Sequence, residues 1–181
     1  DEIGLFMSKF RVVWIIQVDV VITNKDPERK FVEDLCKKEN AKLIDSWIKA
    51  RDQGFYGIEY SYRYGGLTSK TRGYSHDIFN PDFFIKVRKN NFEYIIVIEV
   101  KADNDVSNEN IAKYRYGINH FEKLNKMLIG NDIKQKYIFH FLSPNGYPEF
   151  FDYLNSEKLF EAQSIFRCDL ENKLLVETQE K

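Results

Sequence analysis

The sequence predicts an α/β fold, a central mixed sheet flanked by helices, and three observations lead there. Runs of β-branched and aromatic residues recur at 43–49, 55–62, 83–85, 94–100 and 137–142 and have the composition of strands. Two other stretches, beginning near Asp26 and near Ser107, place apolar residues at helical spacing. The resulting order of helix, three or so strands, helix and strand fits one domain, since 181 residues at 43% hydrophobic content can bury their own core.

Taken in order, residues 11–22, RVVWIIQVDVVI, read as a strand with a helix as second choice. Gln17 and Asp19 make that run too polar for a signal-peptide core, and no stretch is apolar and long enough to span a bilayer. Asp26-Pro27-Glu28 opens a helix: Asp26 can cap it, Pro27 suits its first position, and Glu28 favours the positive end of the dipole. It is expected to reach Lys38 or Glu39, with Phe31, Val32 and Leu35 inward and Glu28 on the same side. After the strands at 43–49 and 55–62, the chain turns polar, glycine-bearing and basic between Tyr60 and Asp77, and a loop is expected. Gly65 to Thr71 is no P-loop, because Ser69 stands where that motif needs glycine before the lysine.

Residues 83–85 and 94–100 form a hairpin around the polar Arg88-Lys89-Asn90-Asn91. Ser107 or Asn108 caps a long amphipathic helix whose inner face carries Ile111, Tyr114, Ile118, Phe121, Leu124 and Leu128. Lys113, Gly117 and His120 form a neighbouring stripe, in which His120 reads as a packing or hydrogen-bonding residue because no partner stands at metal-ligand spacing. The strand at 137–142 ends at Ser143-Pro144-Asn145-Gly146. A helix near Pro148 carries Phe150, Phe151 and Leu154 inward, a short helix is expected at 159–164, one or two strands at 166–176, and a frayed charged tail beyond.

The chemistry sits on the hairpin. Asp82 starts its first strand, while Glu99 and Lys101 end its second, and alternation points those two to one face with Ile96, Ile98 and Val100 on the other. Charges on an otherwise buried strand must be paired, hydrated or bound to a metal. On these residues alone, an ion pair at a strand end accounts for the pattern as well as a metal site does.

Asn80-Pro81-Asp82 followed by Glu99-Val100-Lys101 resembles the signature of the PD-(D/E)xK nucleases, the restriction-endonuclease-like superfamily. Glu28-Arg29-Lys30-Phe31 with Leu35, Trp47-Ile48-Lys49, Tyr56-Gly57-Ile58, Lys113 and His120-Phe121 stand in the order found in the nuclease domains of type III restriction enzymes and related helicase-nucleases. The likeness spans residues 26–125. It implies a restriction-endonuclease-like αβββαβ core over 26–142, in a chain that is one such domain over 1–181 or a fragment of a larger helicase-nuclease.

The resemblance also implies a Mg²⁺-dependent DNA endonuclease, with Mn²⁺ as a substitute. Asp82, Glu99 and the Val100 carbonyl would hold the ion. Lys101 would orient the attacking water, Glu28 would be an extra carboxylate, and Lys113 would touch the scissile phosphate or an acidic ligand. Beside such a site, Arg63, Lys70, Arg72 and Tyr64 suit phosphate contact and stacking on bases. The partners implied are DNA, a helicase or translocase domain or a methyltransferase subunit, and a second copy of the chain on DNA. The alternatives are a nuclease fold that binds DNA without cutting, a nuclease of RNA or single strands, and a chance triad. A formal net charge of −1 requires any nucleic-acid surface to be local. Cys36 and Cys168, far apart and outside metal-ligand spacing, fit reduced thiols in a cytoplasmic protein.

Overall fold

The computed structural model describes residues 4–7, 20–23, 25–51, 54–65, 73–161 and 165–179. Two short strands, β1 (Gly4–Met7) and β2 (Val20–Thr23), pair antiparallel. β2 takes the end of the strand expected at 11–22, and residues 11–19 lie outside the described ones.

Helix α1 (Asp26–Leu35) begins one residue earlier than expected, with Lys25 as an extended cap residue that makes no side-chain bond. Asp26 lies inside the first turn, paired with Arg29. The helix also ends earlier, at Leu35, because Lys37 is extended and starts a separate turn, α2 (Lys38–Ala41). Buried Asn40 fixes this break: its Nδ2 donates to the Asp34 carbonyl at 2.7 Å, satisfying an end-of-helix oxygen. Phe31, Val32 and Leu35 are fully buried, as their spacing predicts.

The main sheet has four strands, β3 (Ser46–Lys49), β6 (Phe83–Lys89), β7 (Phe92–Val100) and β8 (Gln135–Leu142), adjacent in that order. β3 and β7 both run antiparallel to β6, and β8 runs parallel to β7. The β6–β7 turn is Asn90-Asn91, both at positive φ (51° and 61°), the two-residue geometry whose twist matches its strands and which asparagine tolerates. The parallel pair needs a crossover, and α3 (Asn108–Gly130) supplies it, capped by Ser107, whose side chain accepts from the Asn110 N–H at 3.2 Å. The architecture is α/β, a mixed four-stranded sheet with helices packed on it.

The loop expected between Tyr60 and Asp77 is corrected at both ends. β4 (Ile58–Tyr64) and β5 (Gly73–Phe79) form an antiparallel hairpin, in register from Ile58 opposite Phe79 to Tyr64 opposite Gly73. It stands outside the main sheet. Ile58, Tyr60 and Phe79 cluster with Ala112 and Phe121 of α3 and with Val97 of β7. Burial is thus confined to a few aromatic positions, and the polar residues between them disguise the strands. The strands expected at 166–176 are also corrected: α5 (Asp169–Gln179) is a helix. Leu170, Glu171 and Leu174 are buried at helical spacing, and that tertiary burial overrides the weak strand composition. α4 (Tyr147–Asn155) buries Phe150, Phe151 and Leu154. A single 3-10 turn at Lys158–Phe160 stands where a short helix was expected, and residues 162–164 lie outside the described ones.

Phe31 sits at the centre of one core, its ring centroid 5.1 Å from those of Phe83 and Tyr147 and 5.7 Å from that of Phe151. Ile96, Ile98 and Val100 face that core, whereas Val97 faces the cluster under α3. α3 approaches β8 closely at buried Gly117, where a Cβ would overlap the Phe139 ring. Gly117→Ala is therefore expected to destabilise the fold by about 1–3 kcal/mol through overpacking. A urea midpoint equal to that of the parent would show instead that the ring yields freely. Among the described residues, no helix is long and apolar enough to cross a membrane.

Candidate active site

The β6–β7 register decides where the charged residues meet. Phe83 lies opposite Ile98, so Asp82, one residue before β6, falls beside the end of β7. The Val100 N–H donates to Asp82 Oδ2 at 2.6 Å, which fixes the carboxylate against that strand. Glu99 shares the parity of Val97 and is buried. Lys101 follows on the same face, and its Nζ donates to Glu99 Oε1 at 2.6 Å. The other oxygen, Glu99 Oε2, is buried without a hydrogen-bond partner. The Lys101 N–H donates to the Leu142 carbonyl at 2.9 Å, so β8 holds the end of β7 in place.

Two further residues named from the sequence lie within electrostatic range. Glu28, buried on the first turn of α1, raises the proton affinity of Asp82. The Lys113 charge acts on Glu99. Lys113 itself pairs with Glu109 Oε1 at 2.6 Å, one turn earlier on α3. Tyr60 of β4 donates to the same oxygen at 3.0 Å, and so ties the outer hairpin to this rim. Glu28, Val100, Lys101 and Lys113 all line an open cleft of about 740 Å³ into which the first turns of α1 and α3 also project. Asp82 and Glu99 do not line it.

Burial pushes the Asp82 carboxyl up to about 7, and the Glu99 carboxylate adds to the effect, against the opposing Val100 N–H and Lys101. Burial raises Glu99 in the same way, with Lys101 opposing. Burial disfavours charge on Lys101, but Glu99 and then Asp82 outweigh it and hold its pKa above that of an ordinary lysine. Two buried carboxylates, one carrying an orphaned buried oxygen, fit a hard divalent cation, which commonly takes only one or two protein carboxylates and keeps waters besides. Among the described residues, no three His, Cys, Asp or Glu side chains form a metal-holding group; a cation held here would have two carboxylates, those of Asp82 and Glu99, with the Val100 carbonyl beside them.

A stability consequence follows for the metal-free protein. An Asp82 pKa raised from 3.8 to about 7 favours folding while the carboxyl is neutral, so its contribution is complete below pH 4 and lost as pH rises through 7. In EDTA the melting temperature is expected to fall by about 4 °C or more between pH 5 and pH 8. Ca²⁺ should reverse that fall, and Asp82→Asn should remove its metal-free part. A slope unchanged in Asp82→Asn would place the titration elsewhere.

The expected nucleic-acid cluster is described only in part. Arg63 lies near the outer end of β4, its Nε donating to the Tyr74 hydroxyl at 2.5 Å and its guanidinium 4.9 Å from that ring. Tyr64 is exposed beside it. Lys70 and Arg72 lie outside the described residues. His120 bonds through Nε2 with the Tyr56 hydroxyl at 2.6 Å, the hydrogen-bonding role expected of it. Sequence reading gave no role to Lys49, whose Nζ lies 3.2 Å from Glu28 Oε2. A lysine ending an apolar strand one residue beyond Trp47-Ile48 was the available signal. Glu109 was also missed, although its i, i+4 spacing to Lys113 is a common helix pairing. Comparison with protein-family models, curated proteins and solved structures finds no match.

Proposed function

We propose that this chain is a Mg²⁺-dependent endonuclease domain that hydrolyses phosphodiester bonds in DNA. The observation that carries the reading is the convergence of Asp82, Glu99 and Lys101 at the joined ends of β6 and β7, where one Glu99 oxygen is buried without a hydrogen-bond partner. The order α1, β3, β6, β7, α3, β8 around one mixed sheet supports a restriction-endonuclease-like core, with the β4–β5 hairpin inserted between its first two strands.

A phosphodiester anion repels hydroxide, so cleavage needs charge neutralisation, an activated water and a stabilised leaving alkoxide. Bound Mg²⁺ would supply Lewis acidity and lower the pKa of a coordinated water. The residues of the chain do the rest. Asp82, pinned by the Val100 N–H, and Glu99 would hold the ion. Lys101, anchored by Glu99, presents an ammonium that orients water and offsets charge in the transition state. Lys25 and Lys113 line the cleft and attract the phosphate backbone. Arg63 and Tyr64 extend the contact along the hairpin. A helicase or translocase partner, and pairing of two copies on DNA for double-strand breaks, belong to the same proposal.

Plasmid nicking by the purified chain tests it, with Mg²⁺, Mn²⁺, Ca²⁺ or EDTA and with Asp82→Ala as control. Cleavage is expected with Mg²⁺ or Mn²⁺ only, and none from Asp82→Ala, which also loses calorimetric metal binding. Activity in EDTA, or full activity of the variant, would reject the reading. Metal-dependent DNA binding without cutting would favour a binding module.

A further inference from the structure

Lys49 and Glu28 form an ion pair that the catalytic scheme leaves unused. Lys49 ends β3 and Glu28 sits on the first turn of α1. Their charged atoms are 3.2 Å apart, with the side chains only 10% and 7% exposed. Glu28 Oε2 makes no hydrogen bond, so the contact is a charge pairing without donor alignment. The pair lies against the carboxylate site on two sides. The Ala50 N–H, next to Lys49, donates to the Asp82 carbonyl at 2.7 Å, and Glu28 lines the same cleft as Lys101.

An unpaired buried carboxylate here would be a natural third ligand and would invite a second divalent ion. Yet Glu28 does not join Asp82 and Glu99 in a metal-holding group, and a buried ammonium already faces it. The charge balance agrees. Asp82, Glu99 and Glu28 set against Lys101 and Lys49 leave one negative charge. One divalent ion and one phosphodiester then bring the site to neutrality, whereas a second ion would leave a strong positive excess in a poorly hydrated place.

Resting on the nuclease reading, we infer that Lys49 is a positioning residue that permanently neutralises Glu28, withholds it from the metal and limits the site to one divalent ion. Glu28 then acts through its charge and its hold on α1, and not as a ligand.

Calorimetric titration with Mn²⁺, checked by the paramagnetic signal of the bound ion, tests this without reference to cleavage. The parent should take up one ion per chain and Lys49→Met two. Glu28→Gln/Lys49→Met should return to one ion, with an affinity within about threefold of the parent, because the two charges cancel and neither contacts the metal. Two ions in the parent, or one in a folded Lys49→Met, would overturn the inference. So would a loss of affinity above about tenfold in the double variant, which would make Glu28 a ligand. If Lys49→Met does not fold, Lys49→Gln takes its place, since it keeps a polar partner for Glu28 without the charge; it too should take up two ions, and one ion in the folded variant would overturn the inference. No Mn²⁺ uptake by the parent would instead remove the nuclease reading on which the inference stands.

Discussion

If the proposed nuclease reading holds, Lys101→Ala is expected to lower DNA cleavage by about 10³-fold or more while the protein still folds and still binds metal. The ammonium is held by Glu99 at 2.6 Å beside the candidate metal carboxylates, so a transition-state charge developing there meets a fixed donor with little reorganisation. Removing it takes away that donor and leaves both candidate metal carboxylates in place. Metal affinity should rise, because the cation competing for Glu99 is gone. Single-turnover cleavage measured alongside Ca²⁺ calorimetry separates the two effects. Parent-like turnover would reject the role of Lys101, and a lost metal site would make the residue structural.

The second large effect concerns stability, at a carboxylate bonded to Phe141, the β8 residue that lies opposite Glu99. Glu171 of α5 is 1% exposed. Its Oε1 accepts from the Phe141 N–H at 3.1 Å and lies 3.1 Å from His140 Nδ1, and its Oε2 accepts from the Cys168 N–H at 3.1 Å. One carboxylate thus serves the end of β8, the segment before α5 and an imidazole. Glu171→Ala leaves buried donors without partners, each costing about 1–3 kcal/mol, and should lose about 3–5 kcal/mol in all. Glu171→Gln keeps an acceptor and should lose less. Urea unfolding of both variants checks this, and a loss below about 1 kcal/mol for Glu171→Ala would mean that water replaces the carboxylate.

The contrast between these sites explains what could be read beforehand. Local patterns sufficed for the inward face of α1, for α3, for the pairing of β6 with β7 and for the facing of Glu99 and Lys101, because each has a clear periodicity or a polar turn between apolar runs. They missed the ends of α1 and the narrowing of the Arg88–Asn91 turn to Asn90-Asn91. The β4–β5 hairpin escaped because its burial comes from α3, not from a sheet neighbour, and only scattered aromatics record it. α5 escaped for a related reason: Glu171 is a buried charge whose partners lie on β8 and on the segment preceding the helix, so composition alone reads the region as mixed. Within the candidate site, the meeting of Asp82 with Glu99 followed from strand order. The Lys49–Glu28 pair joins β3 to α1, a contact that no sequence spacing announces.

The Tyr147 hydroxyl donates to the Pro27 carbonyl at 2.9 Å, across 120 positions of sequence. That bond sets an order of assembly. Asp82, Glu99, Lys101 and Lys113 all emerge from the ribosome well before Tyr147 does, and the strand that clamps Lys101 at Leu142 emerges only just earlier. A nascent chain therefore carries these four candidate residues for some time before the first turn of α1, with Glu28, can be locked against α4. Completion of the cleft thus waits on α4, so a chain truncated before residue 147 should carry Asp82, Glu99, Lys101 and Lys113 and still lack an organised cleft.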